Sequence, residues 1–455
     1  MKALGIDIGT TTISFVVVDG QSGEMIKSYT IANPGFLETG VSWEKIQDPA
    51  IIMHKVIHLL NDILCRYKDI GVIGLTGQMH GIVYVDSYGK HVSPLYTWQD
   101  ERGNQKCQNG RNCCEIIEEV SKTKIYSGYG LVTHYYNNIM GQMPKDAVGL
   151  CTIADYLGMV LTGRTKPLMH SSNAASLGLF DVKNNKFIEE AFCKLNLNIQ
   201  ILSNVTEDFQ IIGIYRDIPV CVAIGDNQSS FLGAVKNVRE DILVNMGTGG
   251  QVSVYSEHYY IAEEIETRPF IRGGYILSGS SLCGGRAYAI LEQFFEKCAI
   301  ALGEKEKDIY VMMAYILEEA SAKSVSPEKE KLIIDTRFSG TREQPELRGT
   351  IRNIGIDNFT PEDLTVGFLK GMADELYQMY LKMGKEAADG KKRIIASGNG
   401  LRRNSYLQNI VSQQFHMPLC LAVQQEEAAY GAALEGLIGV GMLDVREAIG
   451  MSDTT

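Results

Sequence analysis

Residues 3–18 read ALGIDIGTTTISFVVV, and residues 243–254 repeat the same pattern as LVNMGTGGQVSV. Each stretch consists of an apolar run, a short turn rich in glycine and threonine, and a second apolar run. This order predicts two strands around a tight turn. Asp7 stands just before the first turn, where the second copy has Asn245. Two matching hairpins in distant parts of one chain predict two domains of related design.

The length of the chain also indicates two domains. The 455 residues are 45% hydrophobic and 21% charged, which is typical of a packed globular protein. Single hydrophobic cores stop growing near ~250–300 residues. Short apolar runs alternate with helical patterns, so the fold class is predicted to be α/β. We place an N-terminal domain at residues 1–237 and a C-terminal domain at residues 238–455, with the boundary just before the second hairpin.

Charge and composition exclude several classes of partner. Lys and Arg number 43 against 54 Asp and Glu, a net charge of −11, whereas a general nucleic-acid binder needs a cationic surface. No apolar run reaches the ~18 residues of a membrane span. The ten cysteines are scattered without zinc-ligand spacing, as expected for reduced thiols. With no signal-peptide pattern at the N-terminus, we expect a cytoplasmic protein with no nucleic-acid or membrane partner.

The two glycine–threonine turns are candidate phosphate sites. Glycine lets a backbone approach a ligand closely, and turn N–H groups and hydroxyls can donate to phosphate oxygens. Asp7 could hold Mg²⁺ through water. The alternative is a pair of ordinary β-turns, and the chain has no P-loop motif. The matched pair favours phosphate binding, by Thr10, Thr11 and Thr12 in the first turn and by Gly247, Thr248 and Gly249 in the second.

A carboxylate follows the buried strand predicted at residues 220–224. Residues 225–228 read GDNQ, and ligand sites of α/β sheets lie at the carboxyl ends of strands. Asp226 could accept a proton from a nucleophilic hydroxyl there. The alternative is that Asp226 or Asn227 only caps a helix beginning near Ser229. The position of Asp226, just before the predicted domain boundary, favours the catalytic interpretation.

Two further clusters suit a polyol. Residues 77–81 read GQMHG after the strand predicted at residues 72–76, and residues 98–102 read WQDER. Gln and His offer donors and acceptors for sugar hydroxyls, and an indole face can cover a sugar ring. The alternatives are a structural loop with a satisfied histidine, and a buried tryptophan beside an ion pair. The candidate sugar-binding residues are Gln78, Met79, His80, Trp98, Asp100 and Arg102.

The clusters together resemble the FGGY family of carbohydrate kinases, within the actin-like ATPase superfamily. The resemblance runs nearly the whole length of the chain. It implies two actin-like (ribonuclease H-like) ATPase domains with a cleft between them, and phosphorylation of a sugar by ATP. The segments that carry it are residues 6–11 (IDIGTT), 225–228 (GDNQ), 245–249 (NMGTG), 338–349 (FSGTREQPELRG), 397–404 (SGNGLRRN) and 426–433 (EEAAYGAA).

The resemblance also implies roles for single residues. Asp226 would be the general base, and Asn227 beside it would contact the sugar. Asp7 and Asp226 would lie at the Mg²⁺ ion. The residues implied for adenosine are Gly284, Gly285, Gly398, Asn399, Gly400, Arg402 and Asn404. The glycines of this last set also have an alternative explanation, as loop positions that need a positive φ.

The acceptor sugar is predicted less narrowly. Residues 78–81 (QMHG) are similar to ketose kinases. Residues 127–130 (SGYG), 152–156 (TIADY) and 173–176 (NAAS) most resemble the sedoheptulokinases, with the xylulokinases as the alternative. A sugar-binding regulator without catalytic activity and an ATPase switch are the alternatives of another class. The predicted partners are a ketose and ATP, and a homodimer stays open.

Overall fold

The computed structural model describes residues 1–303, 308–322 and 331–451, and these fall into two compact units. Unit 1 comprises residues 1–236, 268–275 and 424–451, and unit 2 comprises the described residues of 237–267 and 276–423. The chain therefore leaves unit 1 at residue 237 and returns to it twice. The compact units are interleaved along the chain. The N-terminal and C-terminal domains at residues 1–237 and 238–455 stay a prediction.

The first 236 residues carry the strands and helices of unit 1 in a mixed order. The strands are β1 (Lys2–Ile8), β2 (Thr12–Asp19), β3 (Met25–Ala32), β4 (Ile46–Gln47), β5 (Ile70–Gly77), β6 (Val83–Val85), β7 (Leu95–Tyr96), β8 (Lys106–Gln108), β9 (Arg111–Asn112), β10 (Gly149–Cys151), β11 (Leu168–His170), β12 (Phe180–Asp181), β13 (Lys186–Phe187), β14 (Asn204–Thr206), β15 (Ile211–Tyr215), β16 (Ile218–Cys221) and β17 (Ile224–Gly225). The helices are α1 (Pro49–Arg66), α2 (Cys113–Ser121), α3 (Gly130–Ile139), α4 (Ile153–Thr162), α5 (Ser171–Ser176), α6 (Glu189–Lys194) and α7 (Asp226–Ala234).

The remaining described residues add a second set of elements. The strands are β18 (Asp241–Met246), β19 (Gly250–Ser256), β20 (Ile265–Pro269), β21 (Tyr275–Ser281), β22 (Ile333–Asp335), β23 (Thr350–Arg352), β24 (Arg393–Ser397) and β25 (Leu419–Leu421). The helices are α8 (Gly284–Ala301), α9 (Ile309–Ala322), α10 (Pro361–Lys382), α11 (Lys385–Ala388), α12 (Asn399–Arg403), α13 (Ser405–Phe415), α14 (Glu427–Gly439) and α15 (Val445–Ala448). Short 3₁₀ turns lie at Arg102–Asn104, Ile199–Ile201 and Ile271–Gly273.

The main sheets of the two units share one plan. In unit 1 the strand order is β15-β16-β5-β1-β2-β3, with β17 also paired to β5. In unit 2 it is β20-β21-β19-β18-β24-β25. In each, a hairpin (β1–β2 or β18–β19) lies at the centre, and its first strand pairs in parallel with a later strand, β5 or β24. The predicted pair of related hairpins is confirmed, and so is the α/β class.

Each unit has its own hydrophobic core. One cluster of buried side chains runs from Leu4 to Ala223 and the other from Ile242 to Phe415. Local sequence explains where helices begin. Asp48 caps α1 through a 2.8 Å bond from the Ala50 N–H to its carboxylate, and Pro49 fills the first helical position, where no donor is needed.

Helix α14 packs against the unit 1 sheet at unusually short range. A Cβ atom on Gly5 would lie 1.8 Å from the Ala429 carbonyl oxygen, and one on Gly74 would lie 1.7 Å from that of Ala432. Only glycine therefore fits on β1 and β5 beneath this helix. The contact holds α14 against β1 and β5, the two central strands of the unit 1 sheet.

Candidate active site

Three neighbouring strands of unit 1 end at the same edge of the sheet. Strands β1 and β17 both run parallel to β5, and Thr76 of β5 is in register with Asp7 on one side and with Ile224 on the other. Asp226 follows β17 directly. Two carboxylates therefore lie at the carboxyl ends of parallel strands, which is where α/β sheets bind ligands.

The carboxylate of Asp226 is fixed by the backbone. Helix α7 begins at Asp226, earlier than the start predicted near Ser229, with Gly225 as the capping residue and no side-chain cap. The N–H groups of Asn227 and Met79 both donate to the Asp226 carboxylate. Burial raises its pKa to about 6, although Arg268 and these donors act in the opposite direction. The side chain is therefore not merely a helix cap, because one of its donors comes from a different loop.

Two hydroxyl groups hold strand β17 just before Asp226. The Thr76 hydroxyl donates to the Ile224 carbonyl over 2.8 Å. On the next residue, the Gly225 N–H donates to Ser172 Oγ over 2.9 Å. Since β17 has only two residues, these two bonds determine the position of the Asp226 carboxylate that follows it.

A buried histidine orients Ser172. His170 Nδ1 lies 2.8 Å from Ser172 Oγ and also accepts the Ser172 backbone N–H, while Nε2 lies 3.2 Å from the Glu207 carbonyl oxygen. Burial lowers the pKa of His170 to about 4, so the ring is neutral near pH 7. With Nε2 carrying the proton, Nδ1 accepts the Ser172 hydroxyl, whose oxygen then accepts the Gly225 N–H.

Asp7 is held close to other carboxylates in a partly enclosed position. Burial is the main reason that its pKa rises to about 8, and Asp226 and Glu426 raise it further. Its Oδ1 atom is shielded from water and has no hydrogen-bond partner among the described residues. A carboxylate oxygen in this state fits a cation. Among residues 1–303, 308–322 and 331–451 no group of three His, Cys, Asp or Glu side chains surrounds a metal position, so water and a phosphate would have to complete the shell.

The first glycine–threonine turn is tied to the residues predicted for the sugar. The Trp98 indole N–H donates to Thr10 Oγ1 over 2.9 Å, and Thr10 Oγ1 lies 3.4 Å from Gln78 Oε1, a long hydrogen bond. Thr11 and Thr12 are exposed. The Trp98 side chain is 44% exposed, so it is not the buried tryptophan of the alternative interpretation.

His80 adopts a backbone conformation that is rare for histidine. Its φ is 69°, and the loop is held by the His80 N–H donating to Ser176 Oγ over 3.1 Å. Its Nδ1 donates to the Ser176 carbonyl over 2.7 Å, and the ring stacks on Tyr129 with centroids 4.5 Å apart. Strained backbone of this kind often occurs at functional sites.

Asp100 and Arg102 form a buried ion pair. Arg102 Nε lies 2.6 Å from Asp100 Oδ1, and Nη1 donates to Asn137 Oδ1 over 2.7 Å. The guanidinium group also lies 4.2 Å from the Tyr96 ring centre. The two residues are 0% and 1% exposed. For Asp100 and Arg102 the alternative interpretation, an ion pair with a structural role, therefore fits. The pair holds the loop that carries Trp98.

In unit 2 the second glycine–threonine turn is held by the start of α8. The Gly285 N–H donates to the Gly247 carbonyl over 2.9 Å, and the Arg286 N–H donates to that of Thr248 over 3.0 Å. A Cβ on Gly284 would lie 2.4 Å from the Gly249 carbonyl carbon. The glycines at the start of α8 therefore let the helix sit directly against the turn, which leaves Thr248 exposed.

The segment predicted for adenosine lies beside the same strand end. Asn245 Nδ2 donates to Ser397 Oγ over 2.7 Å. Gly398 has a φ of 82°, and a Cβ there would lie 2.5 Å from the Met246 carbonyl oxygen. Asn404 caps α13 by accepting the Leu407 N–H over 3.0 Å. Unit 2 thus brings together the glycines at 247, 249, 284, 285, 398 and 400, with the Asn399 side chain exposed and Arg402 on the short helix α12.

Sequence reasoning missed four residues of this site. Gln47 and Ser172 carry signals that could have been used, because Gln47 stands just before a helix start and Ser172 directly precedes residues 173–176, which resemble the sedoheptulokinases. Glu426 was noted only as part of a helix. Arg268 reaches unit 1 from a distant segment, and no local pattern marks it.

Comparison with known proteins decides the family. Residues 2–233 match the FGGY family of carbohydrate kinases, N-terminal domain, and residues 242–440 match the C-terminal domain of the same family. The chain belongs to the FGGY family of carbohydrate kinases. It is therefore an ATP-dependent sugar kinase, and the predicted family and enzyme class are confirmed.

FGGY kinases of several specificities resemble this chain over nearly its whole length. The sedoheptulokinase of Mus musculus is 25% identical, covering 95% of this chain and 96% of its own. The xylulose kinase of Staphylococcus xylosus is 24% identical, covering 96% and 90%. The crystal structure of xylulose kinase from Rhodospirillum rubrum superposes with a TM-score of 0.83 at 18% identity, covering 99% of this chain and 92% of that chain. The predicted actin-like ATPase fold of this FGGY kinase is confirmed.

Within the three described ranges, every helix is too short or too polar to span a bilayer.

Proposed function

We propose that this kinase transfers the γ-phosphoryl group of ATP to a terminal hydroxyl of a ketose, with Asp226 as the general base and sedoheptulose as the first candidate acceptor. The observation that carries the proposal is the Asp226 carboxylate, aimed by two backbone N–H groups and with a pKa of about 6. A base with a pKa just below neutral is ionised at pH 7 and still accepts a proton readily. The sedoheptulokinase and xylulose kinase relatives support a ketose acceptor.

In the proposed step, the oxygen of the ketose hydroxyl forms a bond to the γ-phosphorus of ATP. The bond between that phosphorus and the oxygen bridging it to the β-phosphate breaks, and ADP leaves with that oxygen. The hydroxyl proton passes to the Asp226 carboxylate and later to water. Because phosphoryl transfer depends mainly on positioning and charge stabilisation, Asp226 needs to orient the hydroxyl and accept its proton late.

The sugar is proposed to contact Gln78, Met79, His80, Trp98 and Asn227. Gln78 is buried, Trp98 offers an exposed indole face, and His80 is oriented by Ser176. Asp100 and Arg102 were predicted as direct contacts, but their enclosure supports a positioning role instead. They hold the loop from which Trp98 projects.

The nucleotide is proposed to use both glycine–threonine turns for its phosphates. In the first turn the exposed Thr11 and Thr12 supply hydroxyls, and Thr10 supplies its backbone N–H. In the second turn, Gly247, Thr248 and Gly249 are proposed to contact the phosphates, Thr248 through its exposed hydroxyl. Adenosine is assigned to the α8 and α12 segments that pack beside the second turn, that is, to Gly284, Gly285, Gly398, Asn399, Gly400, Arg402 and Asn404.

Asp7 would hold Mg²⁺ through water, with Asp226 nearby, since the unpartnered Oδ1 atom suits a cation. When bound, the ion would offset the negative charge on the phosphates. A cytoplasmic location is proposed because all ten cysteines are free thiols, which suits a reducing compartment. A ketose and ATP are the proposed partners, and a homodimer stays a prediction.

Release of ADP with and without a ketose panel tests this proposal. Sedoheptulose, xylulose and ribulose, with gluconate as a non-ketose control, would each be supplied at a saturating concentration with Mg·ATP. We expect ADP release only with a ketose, fastest with sedoheptulose. Equal ADP release without any sugar would identify an ATPase switch, and sugar binding without ADP release would identify a silent regulator. Preference for xylulose would replace the acceptor and leave the mechanism in place.

A further inference from the structure

Gln47 is a buried polar residue between the two halves of the unit 1 site. It lies on β4 and is 0% exposed. Its Nε2 donates to the Thr10 backbone carbonyl over 2.9 Å, and its Oε1 accepts from Gln78 Nε2 over 2.8 Å. One side chain thus bonds to the first phosphate turn and to a proposed sugar residue, although it is proposed to touch neither substrate.

These bonds close a ring. From Gln47 the ring passes to the Thr10 carbonyl, through Thr10 to its hydroxyl, from there to Gln78 Oε1, and through the Gln78 amide back to Gln47. Trp98 joins the ring by donating to Thr10 Oγ1. The long 3.4 Å contact between Thr10 and Gln78 is the weakest link, so the two bonds of Gln47 are what keep the amide of Gln78 and the turn in register.

We propose that Gln47 is a positioning residue that couples occupation of the sugar site to the geometry of the first phosphate turn. The inference rests on the proposed function and concerns how sugar binding regulates the phosphate turn of the same site. A sugar that contacts Gln78 or Trp98 fixes the ring, and the ring fixes the Thr10 backbone. The turn is then set for the phosphates only when a sugar is present, so that water is a poor acceptor.

Asn33 provides a comparison within the same turn. Its Nδ2 donates to the Gly9 carbonyl over 2.8 Å, and its backbone N–H donates to the Thr11 carbonyl over 2.8 Å. Asn33 therefore holds the turn without any bond to Gln78 or Trp98 in the described hydrogen bonds. Loss of the Asn33 side chain should loosen the turn, but it should leave the link between turn and sugar residues intact.

The test compares Gln47→Met with Asn33→Leu in the full-length enzyme. For each protein the kcat, the KM for ketose, the KM for ATP and the ratio of ADP release with and without ketose are measured. We expect Gln47→Met to lower kcat/KM for the ketose and this ratio by roughly tenfold, because two bonds of ordinary strength are lost. Asn33→Leu should raise the KM for ATP while the ratio stays within twofold of wild type.

Gln47→Glu identifies the bond that matters. The carboxylate can still accept from Gln78 but cannot donate to the Thr10 carbonyl, so we expect an intermediate loss of the ratio. A merely structural role would lower the melting temperature and the active fraction of Gln47→Met, and would leave both KM values and the ratio unchanged. That outcome would overturn the inference.

Tryptophan fluorescence gives a readout that needs no turnover. ADP titrated into wild-type enzyme should change the emission through Trp98, and Trp98→Phe should abolish this change. In Gln47→Met the ADP signal should persist, because Trp98 bonds to Thr10 directly, but a ketose should tighten the ADP titration less than it does in wild type. A ketose effect equal to that of wild type overturns the coupling. If wild-type enzyme releases no ADP in response to any ketose, the proposed function itself fails, which the wild-type control reveals before any variant is compared.

Discussion

The backbone N–H of Met79 donates to the carboxylate of Asp226. Met79 belongs to the loop that also carries Gln78 and His80, so the proposed base and the proposed sugar contacts are positioned by one hydrogen bond between two strand ends. The strands concerned, β5 and β17, are directly paired. A change in one part of this arrangement is therefore expected to reach the other.

Asp226→Asn should lower kcat by roughly 10²–10⁴-fold, because the amide cannot accept the hydroxyl proton. The amide oxygen can still accept the Met79 N–H, so the loop should keep its position. ATP affinity, measured by calorimetry, should stay within about threefold of wild type. Wild-type turnover in this variant would remove Asp226 from the mechanism.

The pH dependence of kcat/KM should follow ionisation of Asp226. Burial raises its pKa from 3.8 to about 6, and only the ionised form can accept a proton. With saturating Mg²⁺, which would favour the ionised form of Asp7, the rate should level off above pH 7 and should fall about tenfold per unit as the pH drops below 6. Initial rates from pH 4.5 to 8.5 measure this limb. A limb near pH 4 would mean that the carboxylate is not desolvated in the working enzyme.

Asp7→Asn should weaken the dependence on Mg²⁺. The variant keeps the shape of the side chain but cannot form the carboxylate that a bound cation would favour, so the concentration of Mg²⁺ needed for half-maximal rate should rise at least tenfold at fixed ATP. Ketose binding without nucleotide should be unchanged. An unaltered Mg²⁺ titration would place the ion elsewhere.

Ser172→Ala should lower kcat by roughly threefold to tenfold without changing the KM for ATP. The variant leaves the Gly225 N–H without its acceptor, which frees the two-residue strand before Asp226. Ser203→Ala is the control, because Ser203 Oγ likewise bonds to the backbone, donating to the Leu150 carbonyl, but this bond involves no residue next to Asp226. Equal losses in both variants would indicate a general effect on stability.

Gly74→Ala should lower the melting temperature by roughly 5–10 °C or prevent folding. The added Cβ would lie 1.7 Å from the Ala432 carbonyl oxygen, so α14 would have to move off the sheet. Gly355→Ala is the control, since the nearest atom to a Cβ there is 3.8 Å away. A melting temperature equal to that of the control would show that α14 is not held where the structure places it.

Much of the fold could be predicted from local pattern. The hairpins at residues 3–18 and 243–254 are each an apolar run, a glycine turn and an apolar run, and such patterns depend on neighbours in sequence. The start of α7 was placed too late, because Asp226, Asn227 and Gln228 look like turn residues and yet form its first turn. Tertiary bonds to the Asp226 carboxylate outweigh local preference there.

Site residues that stand in local sequence motifs could be predicted. Site residues that are brought in by segments distant in sequence were missed. Asp7 and Asp226 stand at ends of apolar strands, which a reader of sequence can find. Arg268 comes to Asp226 from a segment that returns to unit 1 after the chain has left it. Asp100 and Arg102 were assigned to the sugar because charge beside an aromatic residue suits it, but burial of the pair cannot be read from their spacing.

The close seat of α14 on β1 and β5 has a consequence for synthesis. A ribosome that has made the first 236 residues has not yet made the helix that covers the central strands of that unit. The whole of unit 2 is translated in between, so the nascent chain carries an incompletely covered sheet until residue 439 leaves the exit tunnel. Chaperones that bind exposed apolar surface would have their longest opportunity during that interval.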